Sequence, residues 1–361
     1  MEQKSAVVNL CRSGISCYIA HWLLNCETME RPMPAIPYSV LDLVPVPEGS
    51  VPAESFRHSL DLAQHAERWG YHRYWLAEHH NMPGIASAAT SVLIGHLAGA
   101  TQRMRLGSGG IMLPNHSPLV IAEQFGTLAS LYPDRIDLGL GRAPGTDQRT
   151  MQALRRQRSG EVDDFPADVR ELMRYFGDQP GAVQAVPGQG LHVPIWLLGS
   201  SLYSAQLAAA MGLPFGFASH FAPGQLLQAL ELYRSQYQPS ARWPKPYAVV
   251  CINVIAADTD REARFLFTTL QQQFLRLYRG DAGKLPLPVQ ALGDEWSPRE
   301  LMAMEQTLAR SLVGDRDRVR HGLQALLAET GADELMFNGP IVSHEARLRS
   351  FEIAAELMQG L

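Results

Sequence analysis

The sequence predicts an α/β fold, a (β/α)8 TIM barrel with insertions after its fourth and seventh strands. From Ile36 onward, eight short apolar runs alternate with stretches of helical periodicity. The connections between these runs are long enough to cross over a sheet, so the strands must be parallel. Eight parallel strand–helix units favour a closed barrel over the alternative, an open doubly wound sheet. Roughly 325 residues exceed the ~250 of a plain barrel, so two connections must carry insertions.

The first four units have clear strand and helix signals. Apolar residues recur at helical spacing in the first helix, which a glycine ends, and a proline opens the third, as a first turn allows. The strands are predicted at 36–42, 72–78, 105–112 and 135–141, and the helices between them at 53–70, 87–100 and 118–131.

The two insertions fall in the second half of the barrel, at 143–193 and 258–332. The strands there are predicted at 195–199, 215–219, 247–257 and 334–339, and the helices at 165–176, 203–212, 224–237, 315–330 and 344–358. Because no repeat, low-complexity segment or linker interrupts 35–361, we expect a single TIM-barrel domain there.

Residues 1–34 differ in character from the rest of the chain. We expect a disordered extension outside the fold, with Met29 or Met33 as the natural start of the protein. A basic start and an apolar run at 14–26 also resemble a secretory signal peptide. His21 interrupts that run, however, and no small-residue cleavage site follows it.

Composition limits the class of partner. A net charge of −5 and a pI near 6.2 favour neither nucleic acid nor an anionic membrane surface, and no stretch reaches the ~20 apolar residues of a membrane span. Three of the four cysteines precede Met29, so a disulfide framework is not expected and the cytoplasm is the predicted location. The expected partner is a small molecule.

Polar side chains and glycines cluster where five of the predicted strands end. In such a barrel, the carboxyl ends of the strands form the catalytic face. The residues there are Glu78, His79, His80, Asn81, Gly109, Gly110, Asn115, His116, Arg142, Gly199, Ser200, Ser201, Ser219 and His220. We therefore expect the active site at this face.

A metal site on the adjacent histidines is not expected. His79 and His80, if they continue a strand, point to opposite faces and cannot readily chelate one ion. The sequence has no HEXXH motif, and no cysteine or second histidine at helical spacing lies near them. A metal site assembled from distant strands remains open.

The other strand-end motifs each have two interpretations. The segment 199–205 places a glycine and hydroxyls at a helix start, where they bind an anion or simply cap the helix. The Gly109–Gly110 pair allows a flat ligand to approach the backbone, or it forms a bulge. Arg142 binds an anion or a carbonyl, or pairs with Asp147. The G-x-G-x-x-G pattern is missing from the strand–helix junctions, which disfavours a Rossmann NAD site.

Together these motifs resemble the flavin-dependent bacterial luciferase family. The pieces that carry the resemblance are WLAEHHN, GSGGIMLPNHSP, AEQFGTLASLYPDRIDLGLGRAPG and WLLGSS. The similarity runs from about Pro37 to the last helix, and is closest to the luciferase-like monooxygenases of unassigned substrate.

The resemblance implies a role for each strand-end group. His79 would act near the flavin C4a position, and Gly109–Gly110 would form a non-proline cis peptide beneath the isoalloxazine ring. Arg142 would lie near the flavin. The residues that would hold the FMN phosphate are Gly199, Ser200, Ser201 and the backbone of Tyr203. The light-emitting enzyme differs in having an acidic residue in place of Gly199 and alanines in place of the two glycines.

Three of the remaining strand-end residues are assigned to the substrate pocket, and a fourth has a structural role. His80, Asn115 and His220 are candidates for the substrate pocket, and Glu78 is expected to make a structural ion pair. A histidine whose pKa lies near neutrality can donate or accept the proton that oxygenation requires, which suits His79.

The function implied is that of a flavin-dependent monooxygenase. It would take reduced FMN from a separate reductase and use O2 to oxygenate a small organic substrate, and the family suggests a homodimer. Two alternatives remain: a deazaflavin (F420)-dependent oxidoreductase, and a non-catalytic flavin-binding protein.

Overall fold

A ring of parallel strands surrounded by helices makes the chain a (β/α)8 barrel, which confirms the predicted fold class. The computed structural model describes residues 36–143, 148–154 and 165–361. The strands are β1 (Tyr38–Asp42), β2 (Arg73–Leu76), β3 (Arg105–Met112), β4 (Ile136–Gly141), β5 (Ile195–Gly199), β6 (Phe215–Ala218), β7 (Ala248–Ala256), β8 (Leu312–Gly314) and β9 (Glu334–Asn338). The extension predicted for 1–34, with its signal-peptide alternative, lies outside the described residues.

Most helices begin where the sequence supplies a start signal. The helices are α1 (Pro52–Arg68), α2 (Thr90–Gly99), α3 (Pro118–Leu131), α4 (Gln148–Leu154), α5 (Phe165–Phe176), α6 (Leu202–Met211), α7 (Leu226–Gln236), α8 (Asp260–Tyr278), α9 (Pro298–Thr307), α10 (Arg316–Thr330) and α11 (His344–Gln359). Proline occupies the first turn of α1, α3 and α9, where its missing N–H costs no hydrogen bond. Among the described helices, none is long and apolar enough to cross a bilayer.

Eight of the strands close the barrel. Their order is β6-β5-β4-β3-β2-β1-β9-β7, and the pairing of Phe215 with Ala248 joins β6 to β7. The short β8 was not predicted; it pairs only with the far end of β7, through Val254 and Leu312. Three residues are too few for a periodic pattern, so the sequence does not show this strand.

Both predicted insertions are present, after β4 and β7. The first contains α4 and α5, and the second contains α8, α9, β8 and α10. Three of these helices, α4, α8 and α9, were not predicted, although α8 and α9 carry caps. Thr259 accepts a hydrogen bond from the Glu262 N–H, and Ser297 and Glu300 form a capping box.

Apolar residues fill two layers. Inside the barrel, alternate strand positions such as Leu41, Trp75 and Trp196 pack together. A second layer, which includes Phe125 and Phe215, lies between the strands and the helices. This alternation follows from the two-residue period of a strand, and it leaves the loops at the strand ends to build a site.

A buried ionic layer closes the amino-terminal end of the barrel. Arg73 donates to Asp137 Oδ2 at 2.7 Å and to Glu334 Oε2 at 3.0 Å, and Arg105 donates to Asp137 Oδ1 at 2.6 Å. Both carboxylates are fully buried. The layer connects β2, β3, β4 and β9 at the end opposite to the predicted active site.

Candidate active site

The segment that carries the two adjacent histidines is a loop. Leu76 ends β2, so the strand predicted to reach residue 78 is two residues too long. The Glu78 N–H donates to the Gly110 carbonyl at 3.2 Å, which attaches the loop to the end of β3. The strand alternation that separated His79 from His80 therefore does not apply, because both residues lie beyond the strand.

Glu78 is the centre of a cluster formed by two strand ends. Its Oε1 accepts hydrogen bonds from His80 Nε2 at 2.7 Å and from His116 Nε2 at 2.8 Å. Its Oε2 accepts from the Met112 N–H at 2.9 Å, and the Asn115 amide lies 3.4 Å from Oε1. The cluster places two predicted pocket residues, His80 and Asn115, beside a carboxylate whose side chain is 1% exposed.

The hydrogen bonds keep Glu78 ionised. Burial alone would raise the pKa of its carboxyl group, but the hydrogen bond and charge of His116 oppose it, together with the bonds from His80 and the Met112 N–H. Their sum holds the pKa of Glu78 below its usual value. Since an ionised carboxylate only accepts, both histidines carry a proton on Nε2. The buried partners of the Glu78 carboxylate are thus the two histidines His80 and His116.

His79 and His220 lie close enough to affect each other. Burial, and then the charge of His79, lower the pKa of His220 from 6.5 to about 3, so this imidazole is neutral near pH 7. The His220 Nδ1 is buried and has no hydrogen-bond partner among the described residues. An orphaned polar atom of this kind indicates a site that a ligand or water completes.

An open cavity of about 680 Å³ lies beside His79 and His80. Its wall includes His79, His80, Met82 and Pro83 from the loop after β2, and Leu277 and Asp281 from the second insertion. This volume is within the roughly 300–1,000 Å³ range of small-molecule sites.

The Gly109–Gly110 peptide bond is cis, as the resemblance implies. The pairing of β3 with β4 is irregular between Ser108 and Ile111. A Cβ on Gly109 would lie 2.6 Å from Leu41 Cδ1, and one on Gly110 would lie 2.7 Å from the Gly139 carbonyl oxygen. The Gly139 backbone therefore leaves no room for a side chain at Gly110, whereas a side chain at Gly109 would have to displace the end of the Leu41 side chain. The two glycines present bare backbone at the strand end.

The start of α6 is also shaped by a glycine. A Cβ on Gly199 would lie 2.5 Å from Ser204 Cβ, so no acidic side chain fits there without moving the first turn. Ser201 occupies the N-cap position, but its hydroxyl makes no capping hydrogen bond and lies 3.1 Å from Ser204 Oγ. Simple capping by Ser201 is therefore not its role. Ser200 and Ser201 are both half-buried beside the first N–H groups of the helix.

Arg142 connects β4 to this helix. Its guanidinium carbon lies 4.3 Å from the centre of the Tyr203 ring, a cation–π distance. The structure thus brings together two residues that the resemblance placed near the cofactor. The alternative partner, Asp147, lies outside the described residues.

Three contributors to the site were not predicted. His116 belongs to the LPNHSP motif, whose signal was visible but not assigned a role. Asn253 donates from Nδ2 to the His220 carbonyl at 2.6 Å and accepts from Asn338 Nδ2 at 2.8 Å, which fixes the main chain at His220. Leu277 comes from an insertion helix, and no sequence signal indicates that this helix reaches the cavity.

Comparison with known proteins gives consistent matches along the barrel. The family model described as luciferase-like monooxygenase matches residues 36–334. A luciferase-like monooxygenase of Escherichia coli (strain K12) is 65% identical over 328 residues, which cover 90% of this chain and 98% of that protein. The crystal structure of apo-MsnO8 superimposes with a TM-score of 0.80 at 35% identity, covering 90% of this chain and 98% of that one.

Two more distant structures have different cofactors. The oxygenating constituent of 3,6-diketocamphane monooxygenase from Pseudomonas putida, in complex with FMN, has a TM-score of 0.67 at 17% identity and covers 90% of this chain and 97% of that one. An F420-dependent secondary alcohol dehydrogenase has a TM-score of 0.61 at 14% identity and covers 90% and 98%. At these identities the likeness shows the fold alone.

Proposed function

The chain belongs to the luciferase-like monooxygenase family, and from this membership we propose that it is a flavin-dependent monooxygenase. It takes reduced FMN from a separate reductase and uses O2 to oxygenate a small organic substrate. One observation carries the proposal: Arg142 stacks on Tyr203 at 4.3 Å, next to the N–H groups at the start of α6. A cation beside a helix N-terminus suits the phosphate of FMN.

The residues present fit the whole cofactor. The Gly109–Gly110 backbone, which carries no side chain, offers a surface for the flat ring system. Ser200, Ser201 and Arg142 would hold the phosphate. When bound, reduced FMN supplies the electrons with which O2 reacts to oxygenate an organic substrate.

The chain's own contribution is to place and move protons. His79 lines the cavity and is the proposed proton-handling residue. His220, which lies near His79, stays neutral near pH 7 because its pKa is about 3. Met82, Pro83 and Leu277 make part of the cavity wall apolar, which suits a substrate with an apolar body.

Cofactor binding tests this proposal directly. Purified protein is titrated anaerobically with reduced FMN and, in parallel, with reduced F420, and binding is followed by fluorescence. We expect reduced FMN to bind more tightly. Arg142→Ala should weaken FMN about 10- to 100-fold, because a charge-assisted hydrogen bond contributes roughly 1.5–3 kcal/mol. The matched control is Arg103→Ala, an exposed arginine at the opposite end of the barrel.

The outcomes separate the alternatives. Preferential binding of F420 would replace this proposal with deazaflavin chemistry. Binding of FMN without O2-dependent product, across a panel of small substrates, would indicate a non-catalytic flavin-binding protein. No binding of reduced FMN would refute the proposal.

We also propose a homodimer in the cytoplasm that depends on another protein for its electrons. Three large apolar side chains on the neighbouring helices α2 and α3 are exposed, Val92 by 70%, Val120 by 44% and Leu131 by 63%, and would be covered by a second copy. Light scattering at micromolar concentration should give twice the mass of the chain, and a monomer would refute the dimer.

A further inference from the structure

We propose that Glu78, His80 and His116 form a binding site for a divalent transition-metal ion, best matched by Zn²⁺. Two imidazole nitrogens and one carboxylate oxygen are a donor set that Zn²⁺ uses in proteins. The prediction against a metal site concerned the adjacent residues His79 and His80. In the structure, His80 instead lies close to His116, which follows the next strand. The proposal is independent of the proposed flavin chemistry.

The three ligand atoms already converge. One donor atom from each residue lies within 4.8 Å of the others. Both Nε2 atoms lie 2.7–2.8 Å from the same oxygen of Glu78. Neighbouring ligands around a tetrahedral Zn²⁺ are roughly 3.3 Å apart, given bond lengths of about 2.0–2.2 Å. Small rotations of the two imidazoles therefore open the space for an ion.

Metal binding would replace the two hydrogen bonds by coordinate bonds. Each Nε2 proton moves to Nδ1 of the same ring, or leaves for solvent if that ring is doubly protonated, and the Nε2 lone pair then binds the ion. The Met112 N–H still donates to Glu78 Oε2 at 2.9 Å, so the carboxylate keeps its orientation. An outer hydrogen bond of this kind is typical of metal-binding carboxylates.

The exposure of the three side chains gives the ion a path. Glu78 is 1% exposed, whereas His80 is 16% and His116 is 27% exposed, so the ion enters from the histidine side. His80 also lines the 680 Å³ cavity. Three protein ligands leave a fourth position, as in catalytic zinc sites, for water or an anionic oxygen or sulfur of a ligand.

Within residues 36–143, 148–154 and 165–361, this is the one group of three or more His, Cys, Asp or Glu side chains that converges in this way. His58 and His344 also lie close together, but their rings stack at 4.1 Å. Among the described residues, the Glu78 cluster is therefore the expected place of a bound ion, and variants of its ligands make the assignment.

Calorimetric titration of tag-free protein with ZnCl2, without flavin, tests the proposal. We expect one tightly bound equivalent, and a Co²⁺-loaded sample should show d–d absorption bands that added Zn²⁺ abolishes. His116→Gln should weaken the Zn²⁺ affinity at least tenfold and remove the Co²⁺ bands. The control His321→Gln changes an exposed helical histidine and should leave both unchanged.

Circular dichroism establishes that the variants are folded, and Glu78→Gln provides a second loss of a ligand if His116→Gln does not fold. The proposal is overturned if the folded parent protein binds no Zn²⁺, or if His116→Gln and Glu78→Gln both bind it as the parent does. Because no flavin is present, failure of the flavin proposal cannot produce either result.

Discussion

His220 follows β6, and at the residue level its environment makes it the clearest pH-sensitive group of the site. Its Nδ1 is buried, and no described residue pairs with it. Burial, and then the charge of His79, set its pKa at about 3 instead of 6.5. A histidine that is neutral in the folded state but can be charged in the unfolded state links stability to pH.

The sign of this effect can be worked out. Below pH 6.5 the unfolded chain binds a proton at His220 that the folded chain refuses until about pH 3, so folding becomes less favourable as the pH falls through that window. In the His220→Gln variant this contribution is absent. We expect the free energy of unfolding of the wild type to fall by about 2 kcal/mol relative to the variant between pH 7 and pH 5.

Urea unfolding of both proteins at several pH values measures this difference. His321→Gln serves as the control, because His321 lies on the exposed side of α10. If the stability difference between the wild type and His220→Gln does not change with pH, the imidazole is not held neutral by the fold.

At the level of elements, one buried ion pair attaches the last helix to the first strand. Asp42 ends β1 and accepts from Arg347 Nη2 of α11 at 2.7 Å, from the Val44 N–H at 2.8 Å, and from the Tyr74 hydroxyl at 2.5 Å. Burial alone would raise the pKa of Asp42, but the charge of Arg347 and the hydroxyl hydrogen bonds hold it below the usual value. The pair is therefore ionised at neutral pH.

Removing the arginine should be costly. In Arg347→Met the Asp42 carboxylate keeps its burial but loses its countercharge, so we expect a loss of about 3–5 kcal/mol in the free energy of unfolding. Arg349→Met is the matched control on the same helix, since Arg349 is 38% exposed and pairs with the exposed Asp258. Its loss should stay below about 1 kcal/mol.

Chemical denaturation of the two variants gives the comparison. Adding Asp42→Asn to Arg347→Met removes the unpaired charge and should recover part of the loss. Equal losses in the two single variants would show that α11 is held by packing and that the buried pair contributes little.

Local patterns were enough to predict the eight barrel strands and the helices between them. They failed where long-range contacts decide the structure. The periodicity of 72–78 extends to Glu78, yet the strand ends at Leu76, opposite Ser108, where the pairing of β3 with β4 becomes irregular. The α8 helix has a capping signal at Thr259, but its placement over the cavity depends on contacts that no local pattern contains.

The candidate site was predictable to the same extent. Each strand end could be identified by the barrel rule, which gave His79, Gly109, Arg142 and Ser201 as site residues. The contacts between these residues could not be predicted from the sequence. Glu78 contacts His80 and His116 only because two strand ends lie side by side in the barrel. A single sequence does not give the distance between these side chains.

For the whole molecule, the buried ionic layer and the candidate site lie at opposite ends of the barrel. The amino-terminal end is closed by the buried layer of Arg73, Arg105, Asp137 and Glu334. Asp137 contacts both arginines, so it holds β2, β3 and β4 together. The carboxyl-terminal end carries the histidines and the cavity. Substitutions in the ionic layer should therefore change the free energy of unfolding, although the substituted residues do not contact the candidate site.

Asp137→Asn tests this separation. Burial would raise the pKa of Asp137, but the charges of Arg73 and Arg105 lower it below 3.8, so its stabilising effect is complete at neutral pH and is lost as the pH falls through the lowered value. We expect the variant to be about 3–5 kcal/mol less stable at pH 7, because the buried Arg73 and the partly buried Arg105 both lose the Asp137 carboxylate and Arg73 keeps only Glu334. Below about pH 4 the stability difference between the wild type and the variant should narrow, because Asp137 of the wild type then becomes protonated and also loses its negative charge.

Urea unfolding from pH 7 to pH 3 measures this stability difference, with the exposed Asp258→Asn as control. A difference that stays constant with pH would mean that the charge of Asp137 does not hold the strands together.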